Sequence, residues 1–205
     1  IRLRTPAGEL QSPAHFLPAA EHYGLAPTID RYVVRTLLDY LAKHPEAKTS
    51  YAVNLSGRTL AEPDFLNFVA EQLAFHQISA NRLCFEITET AAINDLQSAR
   101  RMVEGLRELG CRFFLDDFGS GMCSFAYLKQ LPVDYLKIDG SFIRNMLTDS
   151  DDLVIVNAVA QIARDLRRQT VAEFVESDLL LERLRSIGVD YAQGYAIHVP
   201  EPLPR

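Results

Sequence analysis

The chain has 205 residues, 48% hydrophobic and 23% charged, ordinary values for a folded globular domain and enough for one large α/β domain or two small ones. Its net charge of −6 argues against broad binding to nucleic-acid polymers, which takes a basic face. No stretch approaches the roughly eighteen uncharged apolar residues of a membrane span, none within these residues reads as a signal peptide, and three cysteines without metal-ligand spacing (Cys84, Cys111, Cys123) suit a reducing compartment.

In chain order, residues 1–4 read as the end of a strand, and 5–28 as a long loop carrying Pro6, Pro13, Pro18 and Pro27. Asp30 is expected to open a helix with the apolar stripe Val33, Val34, Leu37, Leu38 and Leu41. A strand is expected over 51–56. Pro63 and Asp64 start a helix that puts Phe65, Phe68, Val69 and Leu73 on one face, and a strand spans 82–87. The helix over 95–109, with Leu96, Ala99, Val103 and Leu106, stops at Gly110. A buried strand over 112–117 runs Phe113-Phe114-Leu115 into Asp116-Asp117 and a glycine-rich turn. A short helix near 124–130, a strand at 133–138 and a helix at 152–166 follow, the last capped by the acidic run from Asp149. A strand at 169–174, a helix at 178–187 ended by Gly188, and a strand at 190–197 complete the chain.

Seven strands thus alternate with six helices, which means parallel pairing through helical crossovers. One further strand upstream would close an eight-stranded barrel, and an open doubly wound sheet is the alternative. No Gly-x-Gly-x-x-Gly follows an early strand, which weakens a dinucleotide fold. Without repeats or linkers, residues 1–205 read as one domain. Because Ile1 falls inside a strand, the chain is expected to be a fragment of a larger protein.

Polar residues end six successive strands: Asn54, Glu86, Asp116 with Asp117, Lys137, Glu173 and Gln193. One such residue is ordinary; a buried Asn usually satisfies a loop backbone, and a strand-end Lys usually snorkels to water. Six in succession on one end of a sheet are not explained by packing. Hard oxygen ligands of this kind suit Mg²⁺ or Mn²⁺. A carboxylate bridging two ions is the common device for in-line attack on a phosphodiester.

The motifs Val53-Asn54-Leu55-Ser56, Glu86-Ile87-Thr88-Glu89, Leu115-Asp116-Asp117-Phe118-Gly119-Ser120-Gly121, Leu131-Pro132-Val133-Asp134, Leu136-Lys137-Ile138-Asp139, Ala172-Glu173-Phe174-Val175-Glu176 and Gln193-Gly194-Tyr195 resemble, in order, those of EAL domains. These are bacterial phosphodiesterases that cleave cyclic di-GMP to linear pGpG. The resemblance implies a TIM-like (β/α)8 barrel of the EAL type, with one antiparallel strand and two Mg²⁺ or Mn²⁺ ions. Its first strand and signature glutamate would lie upstream of residue 1.

By the same resemblance, Asn54, Glu86 and Asp116 hold one metal, and Asp116, Asp117 and Glu173 the other. Lys137 contacts the nucleophilic water, with a pKa lowered by nearby cations. Gln193 bonds the water and substrate region, and Glu176 holds the loop at 118–124. Arg2 matches the signature arginine and binds a substrate phosphate, where its fork of donors suits the oxygens.

Ser120, Met122 and Cys123 stand where the family more often has Thr, Tyr and Ser. Gly140 replaces a frequent Arg. Phe174 replaces a glycine, narrowing the space beside Glu173 and packing on the loop or on a guanine. None of these departures removes a metal ligand.

A hydrolase is therefore expected, the competing class being a receptor that binds cyclic di-GMP without cutting it. A general metal nuclease is disfavoured by the acidic chain. The resemblance further implies a bacterial cytoplasmic setting, a covalently linked sensor or GGDEF domain, and a homodimer formed through the helices after the strands at 112 and 133.

Overall fold

The computed structural model describes residues 1–46, 49–121 and 125–203. Six parallel strands form the sheet: β3 (Tyr51–Asn54), β4 (Leu83–Thr88), β5 (Arg112–Phe118), β6 (Tyr135–Ile138), β7 (Gln169–Ala172) and β8 (Tyr191–Ala192), hydrogen-bonded in that order. Strand order equals chain order because each crossover is helical, which returns the chain beside the strand it has just left. The helices are α2 (Ala26–Lys43), α3 (Gly57–Leu60), α4 (Asp64–His76), α5 (Glu89–Asn94), α6 (Leu96–Glu108), α7 (Gly140–Asn145), α8 (Ser150–Asp165) and α9 (Asp178–Ile187). Curled, the sheet is half of a barrel.

Alternation sorts each strand into two faces. On β4, Leu83, Phe85 and Ile87 are fully buried in the core with Phe65 of α4 and Val103 of α6. The Phe65, Phe85 and Phe113 rings pack at centroid distances of 6.2 and 5.6 Å. Burying each such side chain contributes about 1.5–3 kcal/mol. The other parity, which includes Asn54, Glu86, Asp116 and Lys137, faces the concave side.

Several boundaries differ from the sequence expectation. Residues 1–4 do not join the main sheet: β1 (Leu3–Arg4) pairs antiparallel with β2 (Leu10–Gln11) in a separate ribbon. Within the expected loop of 5–28 lies a helix, α1 (Pro13–His22), which tolerates Pro13 in its first turn and carries Pro18 inside. Asp30 does not open a helix. It sits inside α2, buried, and accepts from Ser56 N (2.9 Å) and Thr59 Oγ1 (2.6 Å), tying α2 to the turn after β3. The turn near 124–130 is a 3₁₀ helix over Phe125–Lys129, and Ser124 lies outside the described residues, as do Met122 and Cys123. β7 ends at Ala172 because Phe174 takes a left-handed φ of 50°. The capping expectations hold: Asp149 accepts from the N–H groups of Asp151 and Asp152, and Gly188 closes α9 at φ 86°.

Candidate metal centre

Four strands deliver the central cluster. Lys137 of β6, only 3% exposed, donates through Nζ to Glu86 Oε2 of β4 at 2.9 Å, Asp116 Oδ1 of β5 at 2.8 Å and Glu173 Oε1 just past β7 at 2.7 Å. Register sets this meeting. Asn54 pairs with Glu86 and Thr88 with Asp116, while Ile138 pairs with Ala172, so Glu173 comes next to the end of β6.

Asp116 and Asp117 are adjacent, so in a regular strand their side chains would leave opposite faces. The β5–β6 register breaks between Leu115 and Phe118, and Asp117 adopts a left-handed φ of 54°, uncommon outside glycine though better tolerated by Asp than by most residues. The irregularity brings both carboxylates to one side. Oxygens of Asp116, Asp117 and Glu173 come within 4.8 Å of one another. Strain of this kind persists where the surroundings over-determine it, commonly at functional sites.

The electrostatics are unbalanced. Burial pushes the Glu173 carboxyl up to about 7, against the pull of Lys137 and with a further push from Asp116. Burial also raises Glu86, again opposed by Lys137. Asp117 is raised by burial and by the charges of Asp116 and Asp139. Burial works against the Lys137 ammonium, yet Glu86, Asp116 and Glu173 together outweigh it and hold its pKa above the ordinary range. Without a cation beside it, an ammonium embraced by three carboxylates keeps its proton; the lowering expected of Lys137 is tied to bound cations.

Four carboxylates face one ammonium, and the all-oxygen trio of Asp116, Asp117 and Glu173 fits a hard divalent cation. Asn54 and Glu86 lie outside that trio. Glu86 reaches it through Lys137, and Asn54 is its exposed strand neighbour.

The other expected site residues stand at the rim. Gln193 follows β8, its N–H bonded to Ala172 O at 2.8 Å and its side chain exposed. Arg2 is exposed, with Nη1 on Ile1 O, and among the described residues no hydrogen bond or ion pair joins it to the acids. Glu176 is exposed and has no hydrogen bond to the loop after Asp117 among the described residues. Glu89, 2% exposed, does hold part of that loop: its Oε2 accepts from Gly119 N at 3.0 Å and its Oε1 from Tyr127 OH at 2.6 Å. Glu89 sits inside a quoted motif, but its sequence signal is only an acid three residues after Glu86. Phe174 packs on α7: an added Cβ at Gly140 would lie 2.1 Å from its ring, and the Arg144 guanidinium sits 3.9 Å from the ring centre.

A family model described as EAL domain matches residues 1–200. Among curated relatives, cyclic di-GMP phosphodiesterase PdeB of Shewanella oneidensis is 42% identical over 99% of this chain and 24% of its own length. Cyclic di-GMP phosphodiesterase PdeF of Escherichia coli is 40% identical over 99% of this chain and 27% of its own. The chain therefore spans about a quarter of these relatives. Among solved structures, the PaMucR phosphodiesterase in complex with c-di-GMP superposes with a TM-score of 0.92 at 34% identity, covering 98% of this chain and 83% of that one. The FimX EAL domain from Pseudomonas aeruginosa bound to c-di-GMP gives 0.93 at 32%, covering 99% and 83%. Among the described residues, no helix is long and apolar enough to cross a membrane.

Proposed function

Because the chain belongs to the EAL domain family, we propose that it hydrolyses cyclic di-GMP to linear pGpG by metal-assisted attack of water on one phosphodiester. The observation that carries this reading is the meeting of Glu86, Asp116 and Glu173 on Lys137, with Asp117 turned in beside them. Asp116, Asp117 and Glu173 would hold one Mg²⁺ or Mn²⁺, and Asn54 and Glu86 with Asp116 a second. A bound divalent ion lowers the pKa of coordinated water and offsets charge on the phosphoryl oxygens.

The chain's own residues supply orientation. Lys137, fixed by three carboxylates, would orient the attacking water by a hydrogen bond or take its proton. Gln193 at the rim would position water and substrate, Glu176 would hold the loop after Asp117, and Arg2 would take a phosphate. Phe174, 46% exposed, offers a ring for a guanine while braced on Arg144. Residues 1–205 would form part of one domain that acts in the bacterial cytoplasm and is linked in the parent protein to a sensor or GGDEF domain.

Incubation of the full-length protein with cyclic di-GMP and Mg²⁺ or Mn²⁺ is expected to yield pGpG, and Asp116→Asn to slow this by roughly two to three orders of magnitude. Unchanged turnover in that variant would remove the mechanism. A receptor reading draws on Lys137, whose ammonium already occupies oxygens of Glu86, Asp116 and Glu173 that a metal would need. It predicts cyclic di-GMP binding with no pGpG under any divalent ion.

A further inference from the structure

At the N-terminal ends of β5, β6 and β7, the opposite end of the sheet from the acids, a cavity of about 460 Å³ is lined by Arg107, Arg112, Arg167, Arg168, Asp134 and Tyr135, among others. Four guanidinium groups against one carboxylate are unexpected in a chain of net charge −6. Asp134 is already engaged: Oδ1 pairs with Arg107 Nη2 at 3.1 Å, and Oδ2 accepts from Phe113 N at 2.9 Å. Arg112 Nη1 donates to Tyr135 OH at 2.9 Å.

Arg168 uses Nη2 twice, on Leu128 O (2.5 Å) and Leu131 O (2.9 Å), and leaves Nη1 buried with no acceptor. A buried unpaired N–H is rare and calls for a partner. Arg167 has no ion pair among the described residues, and its backbone is held at φ 56°. From Arg112 to Asp116 along β5 is about 13 Å at ~3.3 Å per residue, so this cavity is separate from the metal centre.

We propose that this arginine-lined cavity binds a compact phosphate-class anion, either free inorganic phosphate or the phosphate of a small nucleotide. Guanidinium forks match phosphate oxygens, and four of them converge on this one cavity. The ligand would offset the mutual repulsion of the four cations. This inference does not depend on the phosphodiesterase reading.

Calorimetric titration in a chelator, which keeps divalent ions and hence phosphate off the acid cluster, tests it in the full-length protein. One arm uses inorganic phosphate, the other guanosine 5′-monophosphate. Saturable binding in either arm is expected, the tighter arm identifying the source. Arg167→Gly should weaken it by about tenfold or more, and Arg167→Lys by less. The glycine variant suits the left-handed backbone, so its fold should survive. No saturable heat in either arm, or equal affinity in Arg167→Gly, would overturn the assignment.

Discussion

Glu173 carries the most telling single-residue chemistry. Its carboxyl is raised to about 7, first by burial and then by Asp116, despite Lys137. A proton on Glu173 competes with any cation, so ion binding must expel it. Affinity for Mg²⁺ should rise as pH increases through about 7, and binding near that pH should release protons. Titration in two buffers of different ionisation enthalpy measures the release, and identical heats would contradict it. Stability moves with pH in the opposite direction: the folded pKa is above the unfolded value, so this group favours the fold below the ordinary carboxylate range. That contribution is lost as pH climbs through about 7. Lys137→Met removes the counter-charge of three buried acids. Its melting temperature should fall in chelator by several degrees and recover in part with Mg²⁺. Cys84 and Cys111, buried and pushed up to about 11 and about 12 by desolvation, should resist alkylation until the chain unfolds.

Among the elements, β5 and the loop after it decide the site. Glu89, at the first turn of α5, fixes that loop by taking Gly119 N and Tyr127 OH on its two oxygens. Glu89→Gln turns one acceptor into a donor facing a donor. The variant should lose about 1–3 kcal/mol of stability and most of its turnover while its affinity for Mg²⁺ stays near wild type. Loss of metal affinity in step with turnover would place Glu89 in the metal shell instead. The sequence made the strands at 83–88 and 112–118 legible, since long apolar runs ending in acid have few other readings. It also made the caps at Asp149 and Gly188 legible, because they use local chemistry. It hid α1, where Pro13 and Pro18 imitate a loop, and the four- to six-residue helices α3, α5 and α7, too short to show a period. Strand parity placed Asp116 on the concave face, but the side taken by Asp117 depends on a left-handed φ that no residue type there demands. The role of Glu89 was equally hidden, since it rests on a contact thirty residues away with Gly119.

At the largest scale, the sheet formed by the described residues is open. Its outer strands, β3 and β8, have no partner on one side among the described residues. A sheet edge presents unpaired N–H and C=O groups and templates pairing with another chain. Ala52 and Asn54 of β3 are exposed, as is half of Tyr191 on β8. The 205-residue chain by itself should therefore associate as concentration rises from about ten micromolar to about one millimolar, which sedimentation velocity can follow. Two surfaces could carry that association, and they separate by mutation. Ala52→Lys places a charge on the β3 edge and should suppress edge pairing. Val154, 65% exposed on α8, and Leu147, 47% exposed before it, instead mark the helical face through which the family resemblance implies a homodimer. If Val154→Asp yields monomers and Ala52→Lys does not, the helical face is the interface and the strand edges are protected in solution. If the reverse holds, association reports the open sheet, and a strand pairing with β3 should abolish it.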